Sequence, residues 1–265
     1  VNEKATAFRA LHNDGLLVLP NAWDAASAVL IARAGAKAIA TTSAGVAWSL
    51  GRRDGHGLTR EELTAAVARI ASAVDVPVTA DVEGGYDDLG ATITGVVAAG
   101  AVGVNIEDSK GDGTLFDPAE QAERLREARA AAEAAGLPDL VINARVDVYL
   151  LGIGAPEGRL DDVLTRARAY AEAGADCLYV IGLSDLDVLR RISEAVALPL
   201  NALAFPGGPT TAELAAAGVR RVSAGPLVAQ AAYAVAGRAA AELLVKGTCT
   251  ELEEGVDYGT LNSLF

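Results

Sequence analysis

The sequence predicts an α/β fold, a closed (β/α)8 TIM barrel, from three observations. Eight short apolar runs alternate with alanine-rich helical patterns, a glycine turn recurs between helix and run, and several runs end in charged residues. Apolar runs of four to six residues read as parallel strands covered on both faces, and their alternation with helices is the pattern of βα units. Strands are expected at Leu16–Leu19, Ala38–Thr42, Val78–Asp81, Gly103–Ile106, Val141–Ala144, Cys177–Ile181, Leu200–Leu203 and Arg221–Ser223. Helices are expected near Ala25–Ala34, Thr59–Val74, Ala91–Ala99, Pro118–Ala135, Leu160–Ala173, Leu186–Ala195, Thr211–Ala217 and Pro226–Val245.

Local signals support these boundaries. Ala34-Gly35-Ala36, Ala99-Gly100-Ala101, Ala173-Gly174-Ala175 and Ala217-Gly218-Val219 each fall between a helix and the next strand, where glycine takes the left-handed conformation that ends a helix. Thr59-Arg-Glu-Glu62 is a capping box, and Asp117-Pro118 supplies an N-cap followed by proline at the first helical position. The segment Leu227–Val245 is apolar nearly all round, whereas an outer barrel helix should keep one wet face, so it is expected to pack against another subunit. The main alternative architecture, an open doubly wound sheet, lacks a Gly-x-Gly-x-x-Gly after its first strand.

The 265 residues suit one barrel of about 250 residues. No linker or low-complexity stretch interrupts the alternation, so residues 1–265 are read as a single domain with a tail from about 246 to 265. Tyr258, Leu261, Leu264 and Phe265 are the tail's candidate anchors. A net charge of -13 argues against nucleic acid or anionic lipid as partners. With neither a membrane-length apolar segment nor a signal-peptide pattern in evidence, a cytoplasmic location is expected. Two cysteines 72 positions apart and two histidines disfavour disulfides, zinc knuckles and Ser/His triads, which leaves carboxylate chemistry. His12 is expected on the surface of a first helix and His56 on a solvated loop.

In a (β/α)8 barrel the C-terminal ends of the strands carry the active site. Asp81, Glu83, Glu107 and Asp108 gather there, with Arg145 and Asp147 beyond a neighbouring strand. Asp81 and Glu83 flank one residue, so on a strand both would face the lumen, with Glu107 beside them. Carboxylates this close repel unless a cation intervenes, and bound Mg2+ resolves the conflict. Helix capping or a salt bridge to lysine is the competing reading for each, with Asp108 and Asp147 divided evenly between that and the metal site. Arg145 offers a planar fork for a carboxylate or enolate oxygen, or a rim salt bridge to Glu107 or Glu83, and the two are compatible. Thr42, Ser43 and Ala44 offer small side chains and approachable amides for a substrate carboxylate. Asn201 reads either as a ligand donor or as a partner for backbone groups.

Taken in order, Pro20-Asn-Ala-Trp-Asp24, Thr42-Ser43-Ala-Gly, Arg53-Asp54, Asp81-x-Glu83-x-Gly-Tyr86, Gly103-Val-Asn-Ile-Glu107-Asp108 and Asn143-Ala-Arg145 resemble the isocitrate lyase/phosphoenolpyruvate phosphonomutase superfamily, from about Leu16 to Val245. The resemblance implies a barrel whose last helix is exchanged with a neighbouring subunit, in a homodimer or a homotetramer built as a dimer of dimers. It implies Asp81 as a direct Mg2+ ligand, Mn2+ being an alternative ion, with Asp54, Glu83 and Glu107 acting largely through bound waters. It also matches Thr42, Ser43 and Ala44 to the carboxylate-binding turn and Arg145 to the arginine that steadies the substrate's anionic oxygens.

The segment after the fourth strand departs from the family. It reads Asp108-Ser-Lys-Gly-Asp-Gly-Thr-Leu-Phe116, without the Lys-Lys-Cys-Gly-His loop of the lyases or the Lys-x-Asn signature of the mutase. Ile181 stands where the mutase has a histidine. Lys110 is the stand-in acid on this loop, although a lysine among glycines is more often solvated. The expected function is a Mg2+-dependent enzyme that acts on a small 2-oxo or 2-hydroxy (di)carboxylate through an enolate, first of all a C–C lyase. The alternatives are a phosphonate or carboxyphosphonate P–C mutase or hydrolase, and a catalytically weak 2-oxo acid binding protein.

Overall fold

The computed structural model describes residues 2–265; Val1, the first residue of the predicted domain, lies outside them. The barrel strands are β1 (Leu17–Leu19), β2 (Asn21–Ala22), β3 (Ile39–Thr41), β4 (Val78–Asp81), β5 (Gly103–Glu107), β6 (Val141–Val146), β7 (Cys177–Val180), β8 (Leu200–Leu203) and β9 (Val219–Ser223). Their order, β1-β9-β8-β7-β6-β5-β4-β3-β2, is parallel at every pairing.

These strands amount to eight staves, because β1 and β2 are one stave broken at Pro20. Proline has no N–H to donate to a ladder. Among the described residues, Leu17–Leu19 therefore pairs only with β9, and Asn21–Ala22 only with β3. The side chain of Asn21 bridges the break: Nδ2 donates to the Thr41 carbonyl at 2.9 Å, and Oδ1 accepts from the Ala224 amide at 2.8 Å. This second half of the stave, Asn21–Ala22, lies outside the expected Leu16–Leu19 strand.

The expected outer helices form as α2 (Ala25–Arg33), α4 (Arg60–Ser72), α5 (Leu89–Ala98), α6 (Pro118–Ala134), α7 (Arg159–Glu172), α8 (Leu186–Ala195), α9 (Thr211–Ala216) and α10 (Leu227–Lys246). Their starts are fixed chemically. Thr59 accepts from the Glu62 amide while Glu62 accepts from the Thr59 amide, and Asp24 with Ser27 and Thr210 with Glu213 repeat this reciprocal cap. Their ends follow the predicted glycines: Gly35, Gly100, Gly174 and Gly218 have φ of 99°, 98°, 93° and 91°. Leu63, Val67, Ile93, Leu125, Val163 and Leu189 from these helices are buried in the main apolar cluster beneath the sheet.

Two further elements matter for the site. Helix α1 (Asn2–Leu11) closes the N-terminal end of the barrel with Phe8, whose ring fits against Gly103; a Cβ on Gly103 would stand 2.7 Å from it. His12, expected on the surface, is 4% exposed and stacks edge-on against Phe8 with ring centroids 4.8 Å apart. The helix turns its C-terminal end inward, which the polarity of the residue conceals. Helix α3 (Ser43–Ser49) grows directly out of β3, so the expected Thr42–Gly45 turn is a helix start with Thr42 as N-cap.

The tail is less anchored than expected. A short helix, α11 (Tyr258–Asn262), follows α10, and Leu264 packs against the apolar cluster between α2 and α4, whereas Tyr258 and Phe265 are exposed. Helix α10 packs its first turns on its own barrel, with Ala229 buried and Tyr233 beside Trp23 and Trp48. Farther along, Leu243, Leu244 and Val245 are exposed. Among the described residues, no helix is long and apolar enough to cross a membrane.

Candidate active site

A cavity of about 330 Å³ opens at the C-terminal ends of the strands and runs into the barrel. Of the expected site residues, Thr42, Ser43, Ala44, Asp54, Asp81, Arg145 and Asn201 line it. Asp81 ends β4 and is held by the backbone: Oδ2 accepts from the Ser43 amide at 3.3 Å, Oδ1 from the Glu83 amide at 3.3 Å and from Asn105 Nδ2 at 3.5 Å. Three long hydrogen bonds orient the carboxylate without using all of its acceptor positions.

Glu83 does not share the cavity face with Asp81. The strand stops at Asp81 and Glu83 takes φ of 51°, so strand alternation no longer applies to it. Its carboxylate instead accepts from Tyr86 Oη at 2.8 Å and from the His56 amide. Burial raises its pKa despite these two donors, and nearby Asp81 adds to the rise. His56 is on an exposed loop, as expected.

Arg145 sits between two carboxylates. Its Nε and Nη2 grip Asp147 at 2.6 and 2.7 Å, and Nη1 meets Glu107 Oε2 at 2.8 Å. Burial works against the guanidinium charge, but Glu107 and Asp147 outweigh it and raise the pKa. Glu107 shares its one cation with Asp147. Burial, with Asp147, Asp81 and Glu83 adding to it, pushes its pKa up to about 8 against the pull of Arg145. The anticipated salt bridge to Glu107 thus coexists with a place on the cavity wall. The tighter clasp with Asp147 assigns that residue to ion pairing.

Asp108 is likewise paired. Its Oδ2 accepts from Arg166 Nη1 at 3.0 Å and Tyr170 Oη at 2.8 Å, and Oδ1 from the Asp147 amide at 2.9 Å, all in the protein interior. Burial raises its pKa while these partners hold it down. Lys110 is not brought to the cavity: its amine lies 3.6 Å from Glu120 and 5.0 Å from the Phe116 ring centroid, on the outer side of the loop.

Sequence reasoning missed the inner wall. Side chains alternate along a strand, so Thr79, Asn105, Asn143, Tyr179 and Arg221 turn the same way as the mouth residues, and with the expected Asn201 all of them line the cavity. A (β/α)8 lumen is ordinarily filled by branched aliphatic side chains. This one is polar. The signal is the period-two alternation within Val104-Asn105-Ile106-Glu107 and Ile142-Asn143-Ala144-Arg145, which the apolar runs with charged ends conceal.

The donor set can be weighed against a metal. Among the described residues, no three acidic, histidine or cysteine side chains converge on one point, contrary to the expected Asp81–Glu83–Glu107 cluster. Asp54 and Asp81 share the cavity wall, while Glu83 and Glu107 stand behind it. One or two hard oxygen donors with space around them suit Mg2+, which keeps several waters and takes few protein ligands. Burial, with the neighbouring carboxylates adding to it, raises the pKa values of Glu83 and Glu107, and a cation beside them would offset that rise.

Residues 8–244 match the phosphoenolpyruvate phosphomutase family. An uncharacterized protein of Mycobacterium tuberculosis is 39% identical over 236 residues, covering 88% of this chain and 87% of that protein. The 2-methylisocitrate lyase of Escherichia coli is 33% identical over 231 residues, covering 80% of this chain and 75% of the relative. The crystal structure of phosphoenolpyruvate phosphomutase from Streptomyces platensis subsp. rosaceus superposes with a TM-score of 0.86 at 28% identity, over 98% of this chain and 94% of that one. Family, fold and the ordered strand-end residues agree: the chain belongs to the isocitrate lyase/phosphoenolpyruvate phosphonomutase superfamily, whose relatives are lyases and mutases of small carboxylates.

Proposed function

We propose that the protein is a Mg2+-dependent enzyme that forms or consumes the enolate of a small 2-oxo or 2-hydroxy acid, with C–C bond cleavage as its reaction. The observation that carries this reading is the juxtaposition of Asp81 and Arg145 on one cavity wall at the barrel mouth. An acid group and a fixed guanidinium facing a common space are what an enolate-forming site needs, one to hold a cation and the other to hold an oxyanion.

Asp81 and Asp54 would hold the ion, with Glu83 and Glu107 supporting it through water. The ion would supply Lewis-acid stabilisation of the substrate's 2-oxo oxygen. Arg145 would hold a substrate oxygen through the N–H groups not given to Asp147 and Glu107. Asp147 would keep that fork from rotating. Thr42, Ser43 and Ala44 would receive the substrate carboxylate, and Asn201 would donate from the opposite wall. Glu107, whose carboxylate meets Arg145 at 2.8 Å, is the group beside the guanidinium placed to hold or move a proton.

The P–C alternative calls for a further cation near the loop. Lys110 faces Glu120 and Arg53 is exposed, so neither supports that reading. Residues 1–265 are proposed to work as one domain, with 246–265 as its tail. The exposed Leu243, Leu244 and Val245 on α10 are proposed to pack on a second copy of the chain. A screen of isocitrate, methylisocitrate, oxaloacetate and phosphonopyruvate with Mg2+ tests the reaction. Release of pyruvate, glyoxylate or another 2-oxo acid from a C–C substrate is the expected result. Phosphoenolpyruvate from phosphonopyruvate would select the mutase, and binding without turnover would select the silent binder.

A further inference from the structure

Arg221, on β9 two residues inside Ser223, is 2% exposed and lines the inner part of the cavity. Among the described residues no carboxylate lies within ion-pairing distance of it, and Asp81 acts on it only through space. Arg145, on the same cavity wall, is by contrast neutralised by Glu107 and Asp147. Asp176, which acts on His12, is committed to Arg9 and Arg129.

The partner that Arg221 does have leaves its charge intact. Nη1 lies 3.4 Å from His12 Nε2, and His12 Nδ1 lies 2.9 Å from the Phe8 carbonyl. Nδ1 therefore carries the proton and Nε2 accepts, so the imidazole is neutral. The Phe8 ring sits 5.8 Å from the guanidinium carbon and adds a face, not a counter-charge. Among the described residues, Arg221 Nε is buried without a partner, as is Thr79 Oγ1 on the same cavity. Burying an uncompensated charge is costly, and proteins normally pair such a group.

We propose that the inner end of the cavity is an anion site in which Arg221 binds a small carboxylate- or halide-sized anion, with Thr79 as a second donor and His12 holding the guanidinium in place. The anion comes either from solution or from a second carboxylate of the substrate. In the second case the site deepens the proposed function by selecting for acids with two anionic ends, and that case rests on the enolate-forming reading.

The test uses the full chain in EDTA, so that it does not depend on a metal, with Asp81→Ala in parallel. Bromide-soaked crystals should show an anomalous peak within about 3.5 Å of the Arg221 guanidinium. Chloride should raise the Tm saturably relative to gluconate, in wild type and in Asp81→Ala alike. Arg221→Gln should lose this response and Arg221→Lys should keep part of it. If the substrate supplies the anion, malonate or oxaloacetate should displace bromide, and Arg221→Gln should weaken their binding at least about tenfold while pyruvate binds unchanged. If solution supplies it, bromide and these acids should bind together. Absence of an anomalous peak with no anion-dependent Tm shift in wild type overturns the proposal, whether or not Arg221→Gln folds. Failure of Mg2+-dependent turnover alone would overturn the proposed function and leave the anion site standing.

Discussion

Arg145 and Asp147, two residues apart at the end of one strand, form a two-point ion pair with N···O distances of 2.6 and 2.7 Å. The pairing fixes both the plane and the rotation of the guanidinium, so the N–H groups left over point along a set direction into the cavity. Asp147→Asn keeps the shape and removes the charge. Its expected effect is about a tenfold to hundredfold loss of oxalate or pyruvate affinity by calorimetry, from the value of a charge-assisted hydrogen bond. Unchanged affinity would show that Arg145 needs no such brace.

Asp81→Ala removes the carboxylate that the Ser43, Glu83 and Asn105 donors orient on the cavity wall. Mg2+-dependent binding of 2-oxo acids should disappear in a titration. Ligand affinity that still responds to Mg2+ in this variant would remove Asp81 from the metal site.

Asp108→Ala leaves Arg166, whose side chain is 7% exposed, without its buried partner, and strips Tyr170 of an acceptor. A loss of about 3–5 kcal/mol is expected in denaturant unfolding, the cost of stranding a buried charge. A loss below about 1 kcal/mol would mean that Asp162, which also meets Arg166, suffices.

His12 gives the fold an acid-sensitive point. Burial first, and the Arg221 charge second, lower its pKa from 6.5 to about 4. The unfolded chain binds a proton below pH 6.5 and the folded chain resists it, so this contribution is complete above about 6.5 and drains away as pH falls toward about 4. The loss should approach about 3 kcal/mol, at 1.36 kcal/mol per pH unit. Unfolding curves between pH 7 and 4 should be flatter for His12→Gln than for wild type; parallel curves would refute the assignment.

Asn21→Ala removes both bridges across the Pro20 break, to Thr41 and to Ala224. It leaves a buried carbonyl and a half-buried amide in need of partners, for an expected cost of about 2–3 kcal/mol. Thermal or denaturant unfolding measures it, and a change within experimental error would show that β1 and β2 hold the ring without the side chain.

The barrel was legible because its signals are local. Alternating runs, helix caps at Thr59 and Asp117, and the glycines at 35, 100, 174 and 218 each act within a few residues, and the structure follows them. The mouth was legible where charge follows a strand directly, as at Asp81 and Arg145. Glu83 was misplaced because its left-handed backbone breaks the alternation on which the inference rested. His12 was misread because only the packing of α1 under the barrel decides which way it faces. Arg221 escaped notice because His12 and Phe8, which lie against it, come from the opposite end of the chain, which no spacing rule connects.

The interrupted stave at Pro20 also sets an order of assembly. Leu17–Leu19 finds its strand partner in Arg221–Ser223, some two hundred positions downstream, so the ring cannot be sealed on a growing chain until nearly all of it has left the ribosome. Until then that seam has no partner strand to close it, and pulse-labelled hydrogen exchange should find its amides among the last to gain protection; early protection there would sink the idea.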